Sequence, residues 1–411
     1  MLAIDGGEKT RTTPFPKRSL FGAEEKQAAV ALFDQSIESG NAFGYGGPEE
    51  QAYEQEFAEY FGGGYADLVN SGTAAIFVAL GALELEPAGE VVIPPVTDPG
   101  GAMPPALLNL VPVVADAQPG SFNAGPEQIE AVLTPHTRAI LIAHIAGEPA
   151  DMDPIMEIAR SRNLPVVEDC AQSHGARYKG RLVGTIGEIG AFSTMSGKHH
   201  ATGAQGGVVF TVNEDLYWRV KRFSDRGKPF NTDAGSNVRA GLNLNGNDLA
   251  AAIGRVQLRK LSSITRRRQQ VAEQIREAIA HLQTVSLGWQ APDTEPVYWF
   301  MRIHVDVPKL TVDKDAFARA VAAEGIPVTP SYRHIPSEAL WFRQRKVFGS
   351  SDYPWGLPAY KGDRNAAFPC PNAVTSVQSH FNLAIHENYG EQEVADIASA
   401  FEKVEKAYLK K

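Results

Sequence analysis

The chain has 411 residues, of which 43% are hydrophobic and 21% are charged, and its formal net charge is -9 at pH 7. This composition is that of an ordinary globular protein with ample apolar residues for a core, and the length suits two or three domains or one large α/β domain with a smaller partner. The acidic balance argues against nucleic acid as the main ligand, because phosphate backbones attract basic surfaces. No apolar run approaches the roughly 20 residues that a membrane-spanning helix needs.

The N-terminal segment MLAIDGGEKTRTTPFPKRSLF mixes charge, threonine and proline, which favours an extended arm over a folded element. It lacks the apolar stretch of a signal peptide. Cys170 and Cys370 are too few for a disulfide framework or a zinc site, and Cys170 is interpreted as a plain buried thiol. A reducing cytoplasmic location, with no membrane or nucleic-acid partner, fits these features.

Helical periodicity begins near Ala23 with AEEKQAAVALFDQSI and recurs at PEEQAYEQEFAEYF. From there to about Thr211, short apolar segments alternate with helical stretches. The predicted strands are YADLVN, VVIP, VPVVAD, RAILIAH, PVVEDC, GAFST and GGVVFT. Such alternation is typical of parallel βαβ units, so the sequence predicts an α/β fold with an open sheet covered by helices on both faces.

A long charged helix is predicted from roughly Asp248 to His281 and interrupts this alternation. Beyond it, strands and helices without strict alternation predict a smaller α+β domain. We place the boundary near residue 255, which gives an arm and a large domain at 1–255 and a small C-terminal domain at 256–411. Within the long helix, the basic run 266–268 is interpreted as a solvated face.

Four segments carry polar residues at or just past the ends of predicted strands, and the carboxyl edge of an open α/β sheet is where ligands bind. In VNSGTAAIFVAL a strand ends at Asn70 and a helix follows. Gly72 lets the backbone approach an anion closely and Thr73 adds a hydroxyl group, so this helix start favours a phosphate. An ordinary Ser/Thr helix cap is the alternative.

In the second segment, PVVEDCAQSHGA, Glu168 and Asp169 follow an apolar strand, so at least one of the two carboxylates points into the crevice. A carboxylate there could pair with a protonated pyridine nitrogen, and Gln172 could reach a phenolic oxygen of the same ring. A cap for the next helix is an equally good interpretation of the terminal acidic residue.

The third segment, GAFSTMSGKHHATGAQGGVVFT, places Ser193 and Lys198 in a loop rich in glycine and hydroxyl groups between two strands. A lysine held there with a neutral amine can form a Schiff base, whereas a lone lysine is otherwise a surface residue. The SGKHH segment is not a nucleotide P-loop, because that motif needs a glycine five residues before Gly197 and Ser or Thr in place of His199.

The fourth segment, GLNLNGNDLAAAIGRVQLRKL, carries Asn243, Asn245 and Asn247 before a helix, where turn and capping roles are the default. The chain resembles the DegT/StrS-type sugar aminotransferases, a branch of the fold-type I enzymes that use pyridoxal 5'-phosphate. The resemblance is carried by this fourth segment together with SGTAA, HIAGEPADMDPI, VEDCAQSHGA, TGAQGG and the F-S-x-x-x-x-K spacing. The likeness runs from about Phe43 to the C-terminus. The N-terminal GGEKTRTTPFP is also similar, more weakly, to the opening of members that act on cyclitol ketones.

The resemblance implies an aspartate-aminotransferase-like fold, with a large αβα domain on a mainly parallel sheet and a smaller C-terminal α+β domain. It implies that Lys198 is the catalytic residue, carrying the cofactor as an internal aldimine and moving protons. Asp169 would pair with the pyridine nitrogen and Gln172 would approach the phenolic oxygen. The residues implied to hold the phosphate are Gly72, Thr73 and Ser193, joined by Asn243, or alternatively Asn245, from the second subunit of a homodimer with shared active sites.

Three features depart from the family pattern. Asp98 stands in PPVTDPGG where the family often has an aromatic residue that stacks on the cofactor ring, and Gln205 replaces an acidic residue in TGAQGG. His199 and His200 follow the lysine, where exposed or hydrogen-bonded structural histidines are favoured over substrate contacts. No metal site is expected, because adjacent side chains tend to point apart and no ligand cluster joins them.

The implied reaction is a ping-pong transamination in which glutamate or glutamine supplies an amine that a keto-sugar or keto-cyclitol receives. The polar residues that are candidates for orienting this substrate are Arg226, Tyr332, Arg333, His334 and His386. One alternative is a sugar dehydratase, a function that relatives acquire when histidine replaces the lysine, and another is a non-catalytic regulatory member of the same fold. A dinucleotide-dependent oxidoreductase is disfavoured because no G-x-G-x-x-G follows the first strand.

Overall fold

The structure of the protein, a computed structural model, describes residues 1–330, 332 and 334–411. Its strands are β1 (Tyr65–Val69), β2 (Glu90–Ile93), β3 (Val111–Val114), β4 (Thr137–Ala143), β5 (Val166–Asp169), β6 (Arg177–Tyr178), β7 (Arg181–Leu182), β8 (Ile189–Ser193), β9 (Gly207–Thr211), β10 (Val285–Leu287), β11 (Thr294–Glu295), β12 (Met301–Val305), β13 (Val328–Thr329) and β14 (His380–Leu383). Its α-helices are α1 (Ala23–Ser39), α2 (Pro48–Tyr60), α3 (Gly72–Ala82), α4 (Pro99–Ala102), α5 (Pro104–Leu107), α6 (Pro126–Glu130), α7 (Met152–Ser161), α8 (Glu214–Ser224), α9 (Asp248–Ala278), α10 (Lys314–Ala323), α11 (Leu340–Arg343), α12 (Pro371–Ser379) and α13 (Glu391–Tyr408). Within these described residues, no helix is both long and apolar enough to cross a bilayer.

Within the described part of the chain, seven strands form the central sheet, in the order β1-β9-β8-β5-β4-β2-β3. Pairing is parallel from β8 through β5, β4 and β2 to β3, whereas β9 runs antiparallel to both of its neighbours, β1 and β8. Each predicted strand belongs to this sheet, so the predicted α/β architecture with a mainly parallel sheet is confirmed. The sequence pattern does not predict the short strands β6, β7 and β11, which form a separate sheet.

Apolar helix surfaces cover both faces of the central sheet. Along β4, Ala139, Leu141 and Ala143 pack into one core with α3, whereas Ile140 and Ile142 pack into a second core with α2 and α7. Consecutive side chains of a strand point to opposite faces, so a strand that is covered on both faces has an uninterrupted apolar sequence. The run RAILIAH has this character for that reason.

Helix α9 connects the central sheet to a smaller antiparallel sheet of order β10-β12-β14-β13. The first half of the helix contributes Leu261 to the core with α2, and the second half contributes Val271 to a third core with α10 and α13. After β13 the chain returns to the large part of the molecule, where Trp355 packs into the core with α3. The division of the chain at residue 255 stays a prediction.

The basic run of α9 is not a solvated face along its whole length. Arg266 is exposed, but Arg268 is buried and its Nε donates to the Glu387 carboxylate at 2.9 Å. The interpretation is therefore wrong for Arg268, because the loop after β14 packs against this side of the helix.

The N-terminal arm packs along the small sheet and its helices. The Glu324 carboxylate accepts hydrogen bonds from the backbone nitrogens of Ala3 at 2.8 Å and Thr10 at 2.9 Å. Arg11 forms ion pairs with Glu393 at 2.8 Å and Asp396 at 2.6 Å. The arm therefore has a defined course although it contains little regular secondary structure.

A buried ion pair joins the small sheet to the large part of the chain. Arg302 in β12 donates through Nε to Glu148 at 2.8 Å, and also to the backbone carbonyls of Trp289 at 2.7 Å and Gly120 at 3.1 Å. Arg302 is 1% exposed and Glu148 is 3% exposed. Burial raises the pKa of Glu148, and Arg302 acts in the opposite direction. Removing one partner would leave the other charge buried without compensation.

We expect Arg302→Met to lower the free energy of unfolding by about 3 kcal/mol, because the buried Glu148 carboxyl would lose its partner and would have to stay charged without compensation or take up a proton. Urea denaturation measures the loss. Lys309→Met breaks an exposed ion pair with Asp306 and should change the free energy of unfolding by less than about 1 kcal/mol. Adding Glu148→Gln to Arg302→Met should recover part of the loss. If Arg302→Met and Lys309→Met lowered the free energy of unfolding equally, the buried ion pair would not have the stabilising role assigned to it.

Candidate active site

Six of the seven predicted site residues line one cavity of about 240 Å³. The cavity lies at the carboxyl edge of the central sheet, past the ends of β1, β5 and β8. The predicted residues in its wall are Gly72, Thr73, Asp169, Gln172, Ser193 and Lys198. The wall also contains Ser71, Ile76, Thr97, Asp98, Gly100, Gly101, His144, Ile145, Ala171, Met195 and Gln205. Parallel strands end at the same edge of a sheet, and this brings distant segments of the sequence together.

The start of α3 forms one end of the cavity. Ser71 is the helix N-cap, and its Oγ accepts a hydrogen bond from the backbone nitrogen of Ala74 at 3.1 Å. The first N–H groups of a helix have no carbonyl partner within the helix, so those of Gly72 and Thr73 are available to an anion. A Cβ on Gly72 would lie 2.5 Å from the Cβ of Ser193, so only glycine lets these two segments approach closely. Capping and anion-binding roles therefore coexist at this turn.

The two adjacent carboxylates at the end of β5 point to opposite sides of the sheet. Glu168 points away from the cavity and accepts from the backbone nitrogens of Gly184 at 2.8 Å, Ile186 at 2.7 Å and Gly187 at 2.6 Å. Burial alone would raise the pKa of Glu168, but the hydrogen bonds from His144 and from these amides lower it overall. The carboxylate is thus fully occupied within the protein.

Asp169 lines the cavity, as the sequence predicts for at least one of these residues. Its Oδ1 accepts from the backbone nitrogen of Ala171 at 3.0 Å. Burial raises the pKa of Asp169, and the bond from Ala171 and the nearby Lys198 act against this rise. This carboxylate is held in place but keeps capacity for a cationic ligand group.

His144, directly after β4, is a cavity residue for which no role was predicted from the sequence, although it begins the HIAGEPADMDPI motif. Its Nδ1 accepts from the backbone nitrogen of Ala150 at 3.0 Å, so the proton lies on Nε2, which donates to Glu168 at 3.0 Å. His144, Glu168 and Cys170 lie close enough to form a metal-like cluster. Because His144 and Glu168 already use their ligand atoms in these hydrogen bonds, the cluster is better explained as a structural support of the cavity wall.

Gln172 is held at the cavity wall by two hydrogen bonds. Its Oε1 accepts from the backbone nitrogen of Ala146 at 2.7 Å, and its Nε2 donates to the hydroxyl of Tyr332 at 3.1 Å. Burial raises the pKa of Tyr332, so this phenol stays neutral. Tyr332, one of the polar candidates from the sequence, therefore contacts a cavity residue directly.

Lys198 lies in the loop between β8 and β9 and is 7% exposed. Burial lowers the pKa of its amine to about 8, while Asp169 and Asp98 act in the opposite direction. The Nζ atom lies 3.8 Å from the centroid of the Trp299 ring, whose face also favours the cationic form. The amine can therefore exist in both protonation states near neutral pH.

Trp299 is a contact of Lys198 that no sequence pattern predicts. It is half-buried just before β12, and its Nε1 donates to the carbonyl of Gly197 at 3.0 Å. The VYWF segment carries no signal that links it to a loop so distant in the sequence.

Asp98 stands at the position where the resemblance predicts an aromatic ring over the cofactor. Asp98 is exposed and caps α4, where its Oδ1 accepts from the backbone nitrogen of Gly100 at 2.9 Å. A Cβ on Gly101 would lie 3.0 Å from Oδ2 of Asp169, so the backbone of α4 approaches the cavity floor closely. The glycine backbone of α4 therefore lies close to Asp169 in this segment.

His199 and His200 are buried structural residues outside the cavity wall. His199 donates through Nε2 to the carbonyl of Val297 at 3.1 Å, and His200 Nε2 pairs with the hydroxyl of Tyr53 at 2.6 Å. Burial lowers the pKa of both rings, to about 3 for His200, so they stay neutral. The preference for structural histidines over substrate contacts agrees with this geometry.

Asn243 does not line the cavity of its own chain. It is exposed, and its Oδ1 accepts from Nδ2 of Asn245 at 3.0 Å. Its contact with a phosphate, or the alternative contact by Asn245, depends on a second subunit and stays a prediction.

Other polar candidates make contacts elsewhere. Arg226 donates to its neighbour Asp225 at 2.9 Å, and His386 donates to the carbonyl of Pro16 at 2.9 Å. The backbone carbonyl of His334 accepts from Thr97 at 3.0 Å, which places this segment beside the cavity. The remaining candidate, Arg333, lies outside the described residues.

The polar groups of the cavity fit pyridoxal 5'-phosphate. The start of α3 offers N–H groups for a phosphate, Asp169 offers a carboxylate for a ring nitrogen, and Lys198 offers an amine of lowered pKa. Oγ1 of Thr97 is buried and has no hydrogen-bond partner among the described residues, so it can serve a ligand. The absence of a Cβ at Gly72 keeps open the space beside Ser193, at the end of the cavity that offers N–H groups for the phosphate.

The profile of the DegT/DnrJ/EryC1/StrS aminotransferase family matches residues 23–402. The chain is 33% identical over 289 residues to a dTDP-3-amino-3,4,6-trideoxy-alpha-D-glucose transaminase from Streptomyces venezuelae. The matched region covers 70% of this chain and 73% of that protein. It is 34% identical over 291 residues to a GDP-perosamine synthase from Escherichia coli O157:H7, with coverage of 71% and 77%. The solved structure of an aminotransferase from Psychrobacter cryohalolentis superposes with a TM-score of 0.81 at 28% identity and covers 96% of this chain and 99% of that one. The fold-type I architecture is thereby confirmed.

We expect acylation of Lys198 in the cofactor-free chain to increase with pH up to about 8 and then to level off, because its pKa is lowered to about 8 by burial. Lys179 is the internal control, since its hydrogen bond to Asp153 raises its pKa. Its labelling should keep increasing well above that pH. Peptide mass spectrometry measures both rates in one sample. If the acylation rate of Lys198 kept increasing with pH as that of Lys179 does, burial would not have lowered the pKa of Lys198.

Proposed function

Because the chain belongs to the DegT/DnrJ/EryC1/StrS aminotransferase family, we propose that it transfers an amino group from glutamate or glutamine to a keto-sugar or keto-cyclitol, with Lys198 as the lysine that joins the cofactor. Enzymes of this family depend on pyridoxal 5'-phosphate, and the chain is an aminotransferase of this kind. The observation that carries the proposal is the buried amine of Lys198 in the cavity with Asp169 and the start of α3.

Each part of the cavity has a role toward the cofactor. When bound, pyridoxal 5'-phosphate supplies an aldehyde that joins an amine and a ring that accepts electrons from the substrate. Asp169 would keep the ring nitrogen protonated, and Gln172 would orient the phenolic oxygen. The N–H groups of Gly72 and Thr73, with the hydroxyl of Ser193, would hold the phosphate.

Lys198 would move the proton between carbon atoms in both half-reactions. A general acid-base works best when its pKa lies near the working pH, and the lowered pKa of about 8 meets this condition. The donor would leave as a keto acid before the acceptor binds, which makes the kinetics ping-pong. Lysine at position 198, where dehydratase relatives have histidine, favours transamination over dehydration.

A homodimer with shared active sites is part of the proposal. Helix α1 exposes Val30, Phe33 and Ile37, which are 46%, 49% and 77% exposed and lie on one helical face. An exposed apolar stripe of this kind is typical of an interface. Asn243 is exposed and therefore able to reach a neighbouring subunit. The free, buried cysteines support a location in the reducing cytoplasm.

Lys198→Ala should slow the release of 2-oxoglutarate from glutamate by about a thousandfold or more, because it removes the group that moves the proton. Lys179→Ala, at an exposed ion pair with Asp153, should keep the wild-type rate. A wild-type chain that releases no keto acid from glutamate or glutamine would overturn the proposal. A panel of keto-sugars and keto-cyclitols, offered to the enzyme after it has taken up the amine, then identifies the acceptor by mass.

Gly72→Ala should weaken the binding of pyridoxal 5'-phosphate by about tenfold or more, because the new Cβ would push Ser193 away from the phosphate. Binding of pyridoxal without its phosphate should change less. Gly235→Ala is the matched control, since a Cβ there meets nothing within 4 Å. Fluorescence titration measures each affinity. Equal affinities for the phosphorylated cofactor in the two variants would contradict a phosphate site at this turn.

A further inference from the structure

The side chain of Arg18 lies against the backbone of the loop that carries Lys198. Its Nη1 donates to the carbonyl oxygens of Lys198 at 2.7 Å and Gly197 at 3.3 Å, and its Nη2 donates to that of His199 at 3.0 Å. A guanidinium presents its donors in a rigid plane, which suits several acceptors in a fixed arrangement. One side chain from the N-terminal arm therefore holds three consecutive peptide units.

An ion-pair network holds this guanidinium in place. Glu387 accepts from Nε of Arg18 at 2.9 Å through one oxygen and from Nε of Arg268 at 2.9 Å through the other. The side chains of Arg18, Glu387 and Arg268 are 17%, 11% and 3% exposed, so solvent competes weakly. Arg268 also donates to the carbonyl of Tyr298 at 2.8 Å, directly before Trp299. The network thus supports the backbone at Lys198 and also the segment that carries Trp299, whose ring contacts the Lys198 amine.

The arm does not depend on the guanidinium for its own attachment. Nδ2 of Asn388 donates to the backbone carbonyl of Arg18 at 2.7 Å. His386 donates to the carbonyl of Pro16 at 2.9 Å, and Gln257 donates to that of Leu20 at 2.9 Å. The backbone on both sides of Arg18 is therefore fixed by other residues, which leaves its side chain to the lysine loop.

The lysine loop needs such support because residues 194–206 lie outside the helices and strands. Gly197 precedes the lysine, and the backbone nitrogen of Lys198 is held by a turn to the carbonyl of Met195 at 2.9 Å. Rotation of the peptide units at 197–199 would swing the Lys198 side chain away from Trp299 and Asp169. A displacement of about 1 Å at a reacting group can cost roughly a hundredfold in rate.

We propose that Arg18 is a positioning residue for Lys198, fixing the peptide units at 197–199 so that the amine is directed into the cavity. The inference rests on the proposed role of Lys198 as the lysine that joins the cofactor. It assigns the N-terminal arm a part in the chemistry of the site, although Arg18 is not among the residues that line the cavity.

The test compares Arg18→Lys with Arg11→Lys in the full chain freed of cofactor. Arg11 is a matched control, because it lies in the same arm and pairs with two carboxylates, those of Glu393 and Asp396, without contacting the lysine loop. Lys17→Ala changes an exposed residue next to Arg18 and is the control for a substitution in the arm that removes no contact to the lysine loop. One readout is the rate at which pyridoxal 5'-phosphate becomes attached at Lys198, trapped by borohydride and located by peptide mass. The other is deuterium exchange of the amides at 196–200.

Arg18→Lys should slow attachment at Lys198 by roughly tenfold and speed deuterium exchange at 196–200, while Arg11→Lys lowers only the thermal midpoint. Lys17→Ala should match the wild type in both readouts. Arg18→Gln gives a second variant and should slow attachment at least as much, because a shorter amide reaches fewer carbonyls.

Two results would overturn the role of Arg18 and leave the proposed function standing. One is an Arg18→Lys chain that attaches the cofactor at the wild-type rate, and the other is an Arg11→Lys chain whose attachment is slowed as much as that of Arg18→Lys. If the wild-type chain attaches no cofactor at Lys198, the proposed function fails and the inference fails with it.

Discussion

The burial of one lysine amine beside two carboxylates is the interaction on which the rest of the site depends. An exposed lysine stays protonated at neutral pH, and a lysine buried without acidic neighbours would hold a proton poorly. Burial lowers the pKa of Lys198 to about 8, and Asp169 and Asp98 limit that fall, so the amine can both attack a carbonyl and return a proton. This balance requires that the loop at 194–206 be held against the sheet by the segments around it.

The alternation of side chains along β5 separates two carboxylates by function. Glu168 is used to order the turn at 184–187 and to fix the tautomer of His144. Asp169, the next residue, accepts from the backbone nitrogen of Ala171 through Oδ1 and faces the cavity. A buried carboxylate with all its acceptor sites filled is a structural element, whereas one with spare capacity can serve a cationic group of a ligand. Neighbouring residues of one type thus have different roles.

The cavity is completed by parts of the chain that lie far from the central sheet. Trp299 comes from the approach to β12 and Tyr332 follows β13, and each contacts a cavity residue. The ion pair between Arg302 and Glu148 fixes the small sheet to the loop after β4, near the cavity wall. Since Arg18 reaches the lysine loop from the arm, the N-terminal, central and C-terminal segments all support the same site. A change in how they pack would therefore change the environment of the amine.

The sequence by itself determined the central strands and the cavity residues next to them, because an uninterrupted apolar run defines a doubly covered strand and a parallel sheet gathers whatever follows such runs at one edge. Its resemblance to a family supplied the expected roles, which spacing alone leaves open. Strand alternation left open which of Glu168 and Asp169 faces the cavity, the resemblance indicated Asp169, and the structure places Asp169 in the cavity wall. Only the tertiary structure decided that Arg268 is buried and that Trp299 and Arg18 contact the lysine and its loop. Those contacts join segments that are distant in sequence, and no local periodicity encodes which side chain a distant segment will meet.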